Sequence, residues 1–224
     1  MRFQDAAPDA RAIVYAGIQA DPLVARAAAL LADATYEERL LARAVMNGES
    51  TDAESWRIMF PSLFAAGSGN ERTAAILDAS LAVAERGEQV RSQFRGAIVE
   101  ALTELLLRRG NPAAPPTAIR RERRILFDGV RAEIHPYDVT IEIDGAAAAV
   151  DCKWGARGIS ADVLHQLDDA RTHAADDDER LRAVLVIFDS LRSCGVRLER
   201  QTAPQAGTEI VGLETLDDLA APAS

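Results

Sequence analysis

The chain has 224 residues, 48% hydrophobic and 27% charged, a composition that excludes a disordered or fibrous polymer. Its formal net charge of −10 argues against a protein that coats nucleic acid through bulk charge, and no apolar run reaches the roughly 20 residues of a membrane span. Of 25 basic residues only Lys153 is a lysine, so a bias toward arginine leaves Lys153 as a place where a guanidinium does not serve.

Residues 1–86 read as helical. Pro22 suits a first turn, and Val24, Ala27, Ala28 and Leu31 follow at helical spacing. Thr35 with Glu38 three residues on predicts a capping box before Leu40, Leu41 and Val45. Further helices are expected over 52–59 and 71–85, separated by a Gly67-Ser68-Gly69-Asn70 loop. No chemistry-bearing motif stands out in this region, which suits packing helices, a homodimer surface or a protein-partner interface. A second domain is expected over 87–224. It opens on a long helix over 88–109, with Phe94, Ile98, Leu102 and Leu105 on one face and Gly110 as its stop. A strand is expected over 119–126, with a turn at Asp128-Gly129. Residues 91–133 carry a net charge of +4, led by Arg120, Arg121, Arg123, Arg124 and Arg131, which suits either a solvated strand face or a phosphate-contacting patch.

Val139, Ile141 and Ile143 alternate with polar residues up to Asp144-Gly145, a strong hairpin signal, and residues 146–154 return as the partner strand. Ser160 then caps a helix over 161–174, 183–188 is a short apolar strand, and 196–201 and 209–213 are read as two more strands. The result is an α/β fold with a mixed sheet. Counting back from a two-residue turn, Ile143 faces Ala146 and Asp138 faces Asp151 on one sheet face, with Lys153 emerging on the same face. Opposed carboxylates repel unless a positive charge sits between them, and paired aspartate oxygens suit Mg²⁺ or Mn²⁺. The plain alternative is a solvated sheet face with an Asp–Lys pair. A one-residue slip would separate the set.

Asp138, followed 13 residues later by Asp151-Cys152-Lys153 across a hairpin and after a helix bearing Glu100, resembles the PD-(D/E)xK nuclease superfamily over about residues 88–190. The resemblance implies a restriction-endonuclease-like core of helix, three-strand meander, helix and strand. It implies Asp138 and Asp151 as metal-binding carboxylates, the Cys152 carbonyl as a further ligand, and Lys153 as the group that positions the attacking water and stabilises phosphate charge. Glu100 matches the acidic residue many members supply from the first core helix, with Glu104 as its rival. The family's Pro-Asp appears as Pro136-Tyr137-Asp138, with the proline displaced by one. Gln166 matches a glutamine that some branches place near the site. Arg120, Arg121, Arg123 and Arg157 join it as candidate substrate contacts, beside His165, with ordinary helix roles equally open to Gln166 and His165.

The expected activity is therefore Mg²⁺- or Mn²⁺-dependent phosphodiester hydrolysis. DNA is favoured over RNA because most of the resembling family cuts DNA, and genome defence, restriction and repair are the expected settings. A second class of reading is a nucleic-acid-binding or scaffold subunit on a nuclease-like fold, working in a complex. A sugar- or nucleotide-processing enzyme lacks support, because the chain has no phosphate-cradling Gly-rich loop. The first ten residues lack the apolar core of a signal peptide, and Cys152 and Cys194 form neither a CxxC nor a zinc spacing, so a reducing cytoplasm is the expected setting, without a membrane partner.

Overall fold

The computed structural model describes all residues except 8–9, 49, 66–70, 128–129, 132–134, 144–145, 202–206 and 222–224. The expected Gly67–Asn70 loop and the Asp128-Gly129 and Asp144-Gly145 turns lie outside the described residues, as does the side chain of Arg131. The elements in order are β1 (Arg2–Asp5), α1 (Ala10–Gln19), α2 (Pro22–Ala32), α3 (Tyr36–Asn47), α4 (Ala53–Met59), α5 (Pro61–Phe64), α6 (Glu71–Ala84) and α7 (Glu88–Gly110). Then come β2 (Ile119–Phe127), β3 (Val130–Arg131), β4 (Tyr137–Ile143), β5 (Ala146–Lys153), a 3-10 turn (Ala156–Gly158), α8 (Ala161–Asp176), β6 (Leu181–Ile187), α9 (Leu191–Leu198), β7 (Thr208–Val211) and a second 3-10 turn (Leu216–Ala220). The chain divides into two compact units, Asp9–Leu105 and Met1–Pro8 with Leu106–Ser224, rather than at 86/87.

In the helical unit the local signals act as expected. Asp21 caps α2 through the Leu23 N–H, and Thr35 and Glu38 form the reciprocal capping box of α3. Leu41, Val45, Trp56, Leu77 and Leu81 bury together, each worth roughly 1.5–3 kcal/mol of transfer free energy. Glu38 is also buried, where it accepts from the Thr73 hydroxyl at 2.7 Å and from Arg72 at 3.0 Å. Burial pushes its carboxyl up, but the Thr35 amide, Thr73 and Arg72 outweigh burial and hold it below the ordinary value.

The second unit carries one mixed sheet in the order β1-β2-β4-β5-β6-β7, with β3 on β2. β2, β4 and β5 run antiparallel, whereas β5, β6 and β7 are parallel. Parallel neighbours need a crossover, which α8 provides between β5 and β6. Its Leu164, Leu167, Ala170 and Ala174 share a core with Ala149, Ala183, Leu185 and Ile187. Val139, Ile141, Ala148 and Val150, of the opposite parity, are buried as well, so the central strands are covered on both faces.

Two expectations are corrected. The chain opens with a strand, not a helix: β1 pairs antiparallel with β2, and Phe3 joins Ile125 and Phe127 in the sheet core. Residues 191–198 form a helix where a strand over 196–201 was expected. The parallel pairing of β6 and β7 demands a crossover at that point, and Ser190 caps it through the Ser193 N–H.

Candidate functional site

The β4–β5 ladder pairs Ile143 with Ala146, Ile141 with Ala148 and Val139 with Val150, the register that brings Asp138 toward Asp151. The ladder stops one step short of the two aspartates. Asp138 instead turns its side chain onto the neighbouring strand, and its Oδ2 accepts from the Cys152 backbone N–H at 2.6 Å. On the other side of β4 the pairing jumps from Arg121–Val139 to Arg123–Tyr137 and skips the Glu122–Asp138 position. Glu122 sits at φ 54°, a left-handed conformation costing a non-glycine residue about 1–2 kcal/mol. Backbone strain thus lies where the sheet opens around Asp138.

Lys153 Nζ lies 3.5 Å from Asp151 Oδ1 and 3.8 Å from Asp138 Oδ2. The Asp151 side chain is 8% exposed, that of Asp138 19% and that of Lys153 26%. Two carboxylates therefore share one ammonium in a largely desolvated place. Burial pushes the lysine down, but the charges of Asp138 and Asp151 outweigh it and raise the ammonium above its ordinary value. Lys153 consequently keeps its proton through neutral pH and acts as a fixed cation. A solvated Asp–Lys pair does not describe this arrangement, because α8 covers the sheet face to which Asp151 belongs.

The loop after Lys153 is held from three directions. The Phe188 N–H donates to the Lys153 carbonyl at 2.8 Å, and the Trp154 ring stacks on Phe188 at 4.9 Å. Buried Asp189 accepts from the Ala156 N–H at 3.1 Å and from the Ser190 N–H at 2.9 Å. Gly158 lets the lysine stem lie against the turn: a Cβ there would stand 2.9 Å from Lys153 Cβ and 3.0 Å from its Cγ and Cδ. Gln166 is buried on α8, where its Nε2 donates to the His135 carbonyl at 3.2 Å and its backbone carbonyl accepts from the Tyr137 hydroxyl at 3.2 Å. It brackets Pro136 and fixes the chain entering Asp138, which makes it a positioning residue. His165 is exposed on the same helix.

The remaining expected residues make contacts of their own. Arg120 pairs with Asp5 at 2.9 Å, and Arg121 is half-buried. Arg123 is buried, lies over the Phe3 ring, and pairs with Glu142 at 2.9 Å and Asp5 at 3.5 Å. Its charge is therefore spent inside the sheet unit. Arg157 is exposed beside the site loop. Glu100 belongs to the helical unit, where it accepts from the Tyr15 hydroxyl at 2.5 Å and Gln19 Nε2 at 2.7 Å. Gly96, one turn earlier, makes room for Tyr15: a Cβ there would meet the hydroxyl at 3.0 Å. Glu104 is half-buried. Among the described residues, no group of three or more His, Cys, Asp or Glu is placed to hold a metal ion, so the aspartates stand as a pair. Asp189 and Gly158 were not singled out from sequence. The signals were an acid directly after an apolar strand and a glycine shortly after the lone lysine.

No family model and no curated protein matches the chain. Among solved structures, the crystal structure of protein VC1899 from Vibrio cholerae aligns with 98% of this chain and 56% of its own, at 18% identity and a TM-score of 0.49. The chain thus spans little more than half of that protein, and likeness at this level carries no argument about fold family or function. Among the described residues, no helix is long and apolar enough to cross a membrane.

Proposed function

We propose that the sheet unit is a restriction-endonuclease-like core and that the chain is a metal-dependent nuclease hydrolysing phosphodiester bonds, with DNA as its substrate. The observation that carries this reading is the pairing of Asp138 and Asp151 against the chain's single lysine, at the place where the sheet opens and under a covering helix. One ammonium between two carboxylates leaves a local excess of one negative charge, which fits a hard divalent cation with oxygen ligands. Asp138, Asp151 and the Cys152 carbonyl would hold Mg²⁺ or Mn²⁺, which supplies a polarised phosphate and a water of lowered pKa.

The chain's own groups do the rest. The Cys152 amide fixes one oxygen of Asp138, so that carboxylate is oriented before substrate arrives. Lys153 donates to a phosphate oxygen as negative charge builds during attack, and its low exposure strengthens that contact relative to bulk water. Gly158 and Asp189 keep the lysine and its loop in place, and Gln166 does the same for the entry to Asp138. The test is cleavage of plasmid, single-stranded DNA and RNA by wild type and Lys153→Ala with Mg²⁺, Mn²⁺ or EDTA. Metal-dependent cleavage by wild type, lost in the variant, supports the reading. Equal cleavage by both, or none by wild type on any substrate, overturns it.

A further inference from the structure

Beside the Lys153 loop lies a cavity of about 600 Å³ lined by Ala156 and Arg157 of the 3-10 turn, and by Arg192, Ser193, Val196, Arg197 and Arg200 on and just past α9. Four of its seven lining residues are arginines and none is acidic, in a chain where acids outnumber bases by 35 to 25. Elsewhere arginines meet carboxylates: Arg72 with Glu38, Arg95 with Glu88, Arg120 with Asp5 and Arg182 with Glu209. The side chains of Arg157, Arg192 and Arg200 have no such partner among the described residues. Arg197 donates its Nε to the Ile159 carbonyl at 3.0 Å, which fixes one guanidinium in the wall. Four cations converging on one concavity repel one another, and an anion with several acceptor oxygens relieves that repulsion. Guanidinium forks match phosphate geometry.

Placement narrows the anion. Ala156 follows Lys153 by three residues, so the cavity rim lies within about 11 Å of the lysine Cα along the chain. The Asp189 carboxylate ties the Ala156 amide to the end of β6 and holds that spacing. We infer that this cavity binds a backbone phosphate of a single nucleic-acid strand, a short distance along from the bond presented to Asp138, Asp151 and Lys153. The inference rests on the nuclease reading of those three residues. Val196, about half exposed on the cavity wall, offers an apolar surface to a sugar or base edge.

The experiment measures fluorescence anisotropy of a short labelled single-stranded DNA with full-length protein in EDTA, across a salt series. The proteins are wild type, Arg157→Ala, Arg192→Ala, Arg200→Ala and the triple variant, each checked for an unchanged melting curve. Each single arginine change is expected to weaken binding several-fold, and the triple variant a hundredfold or more. Each lost contact should lower the slope of log K against log salt by about 0.7. Mononucleotide should compete only weakly. No binding by wild type, or equal binding by the triple variant, overturns the inference. Mononucleotide that displaces the strand at stoichiometric levels also overturns it and makes the cavity a free-nucleotide site. Because binding is read without metal or turnover, arginine-dependent binding without cleavage would refute the nuclease reading alone.

Discussion

Replacing Lys153 by methionine removes the ammonium and keeps most of the stem that packs against Gly158. Each Lys–Asp contact, at 3.5 and 3.8 Å, is worth about 4–5 kcal/mol of gross Coulomb energy at an effective dielectric near 20. Desolvation of the lysine cancels much of that, and its 26% exposure screens more, leaving a net loss of about 2–3 kcal/mol in EDTA at neutral pH. For a unit of this size the midpoint should fall by roughly 5–10 °C. One rescue follows: Mg²⁺ should stabilise the variant more than wild type, the variant's own gain being about 2.7 kcal/mol at a hundredfold excess over its Kd. The assay is thermal melting in EDTA and in a Mg²⁺ series, with amide exchange of β5 to localise the change. Equal stability of variant and wild type in EDTA, or a Mg²⁺ response no larger than wild type's, would refute the reasoning.

Gly158→Ala forces the lysine stem away from a Cβ about 3 Å distant. It should cost about 1–3 kcal/mol in stability and lower kcat ten- to a hundredfold with KM little changed, as single-turnover kinetics can read. Glu38, held below its ordinary value, gives the helical unit stability that is present at neutral pH and lost as pH falls through the depressed folded value. Glu38→Gln should therefore cost about 1–3 kcal/mol at pH 7 and progressively less in acid, by urea melts across pH. Glu100→Gln places an amide against the donors of Tyr15 and Gln19 and should destabilise the helical unit by about 1–3 kcal/mol, leaving Mn²⁺ affinity unchanged. A drop in Mn²⁺ affinity with folding intact would add Glu100 to the metal ligands.

The parts of this fold legible in sequence are those set by local chemistry. The box of Thr35 and Glu38, the cap at Ser160 and the alternation of Val139, Ile141 and Ile143 each act within a few residues, and the register follows from them. β1 was hidden because four residues carry no period, and its strand character comes from pairing with β2, more than a hundred residues away. α9 was misread because Val196 and Leu198 alternate with polar residues, while the need for a crossover arises only once β6 and β7 are known to run parallel. At the site, Asp138, Asp151 and Lys153 were placed from the turn alone. The Asp138 bond to the Cys152 amide, the strain at Glu122 and the brace from Asp189 depend on how the sheet opens, and no spacing encodes that. Arg123 looked like a substrate contact because its neighbours are basic. Its partners Asp5 and Glu142 come from two other strands.

The most direct test is a crystal soaked in Mn²⁺ and measured for manganese anomalous scattering. The account predicts a peak held by Asp138 and Asp151, absent from Asp138→Asn crystals. A wild-type crystal at saturating Mn²⁺, with both aspartates ordered and no peak between them, would contradict it.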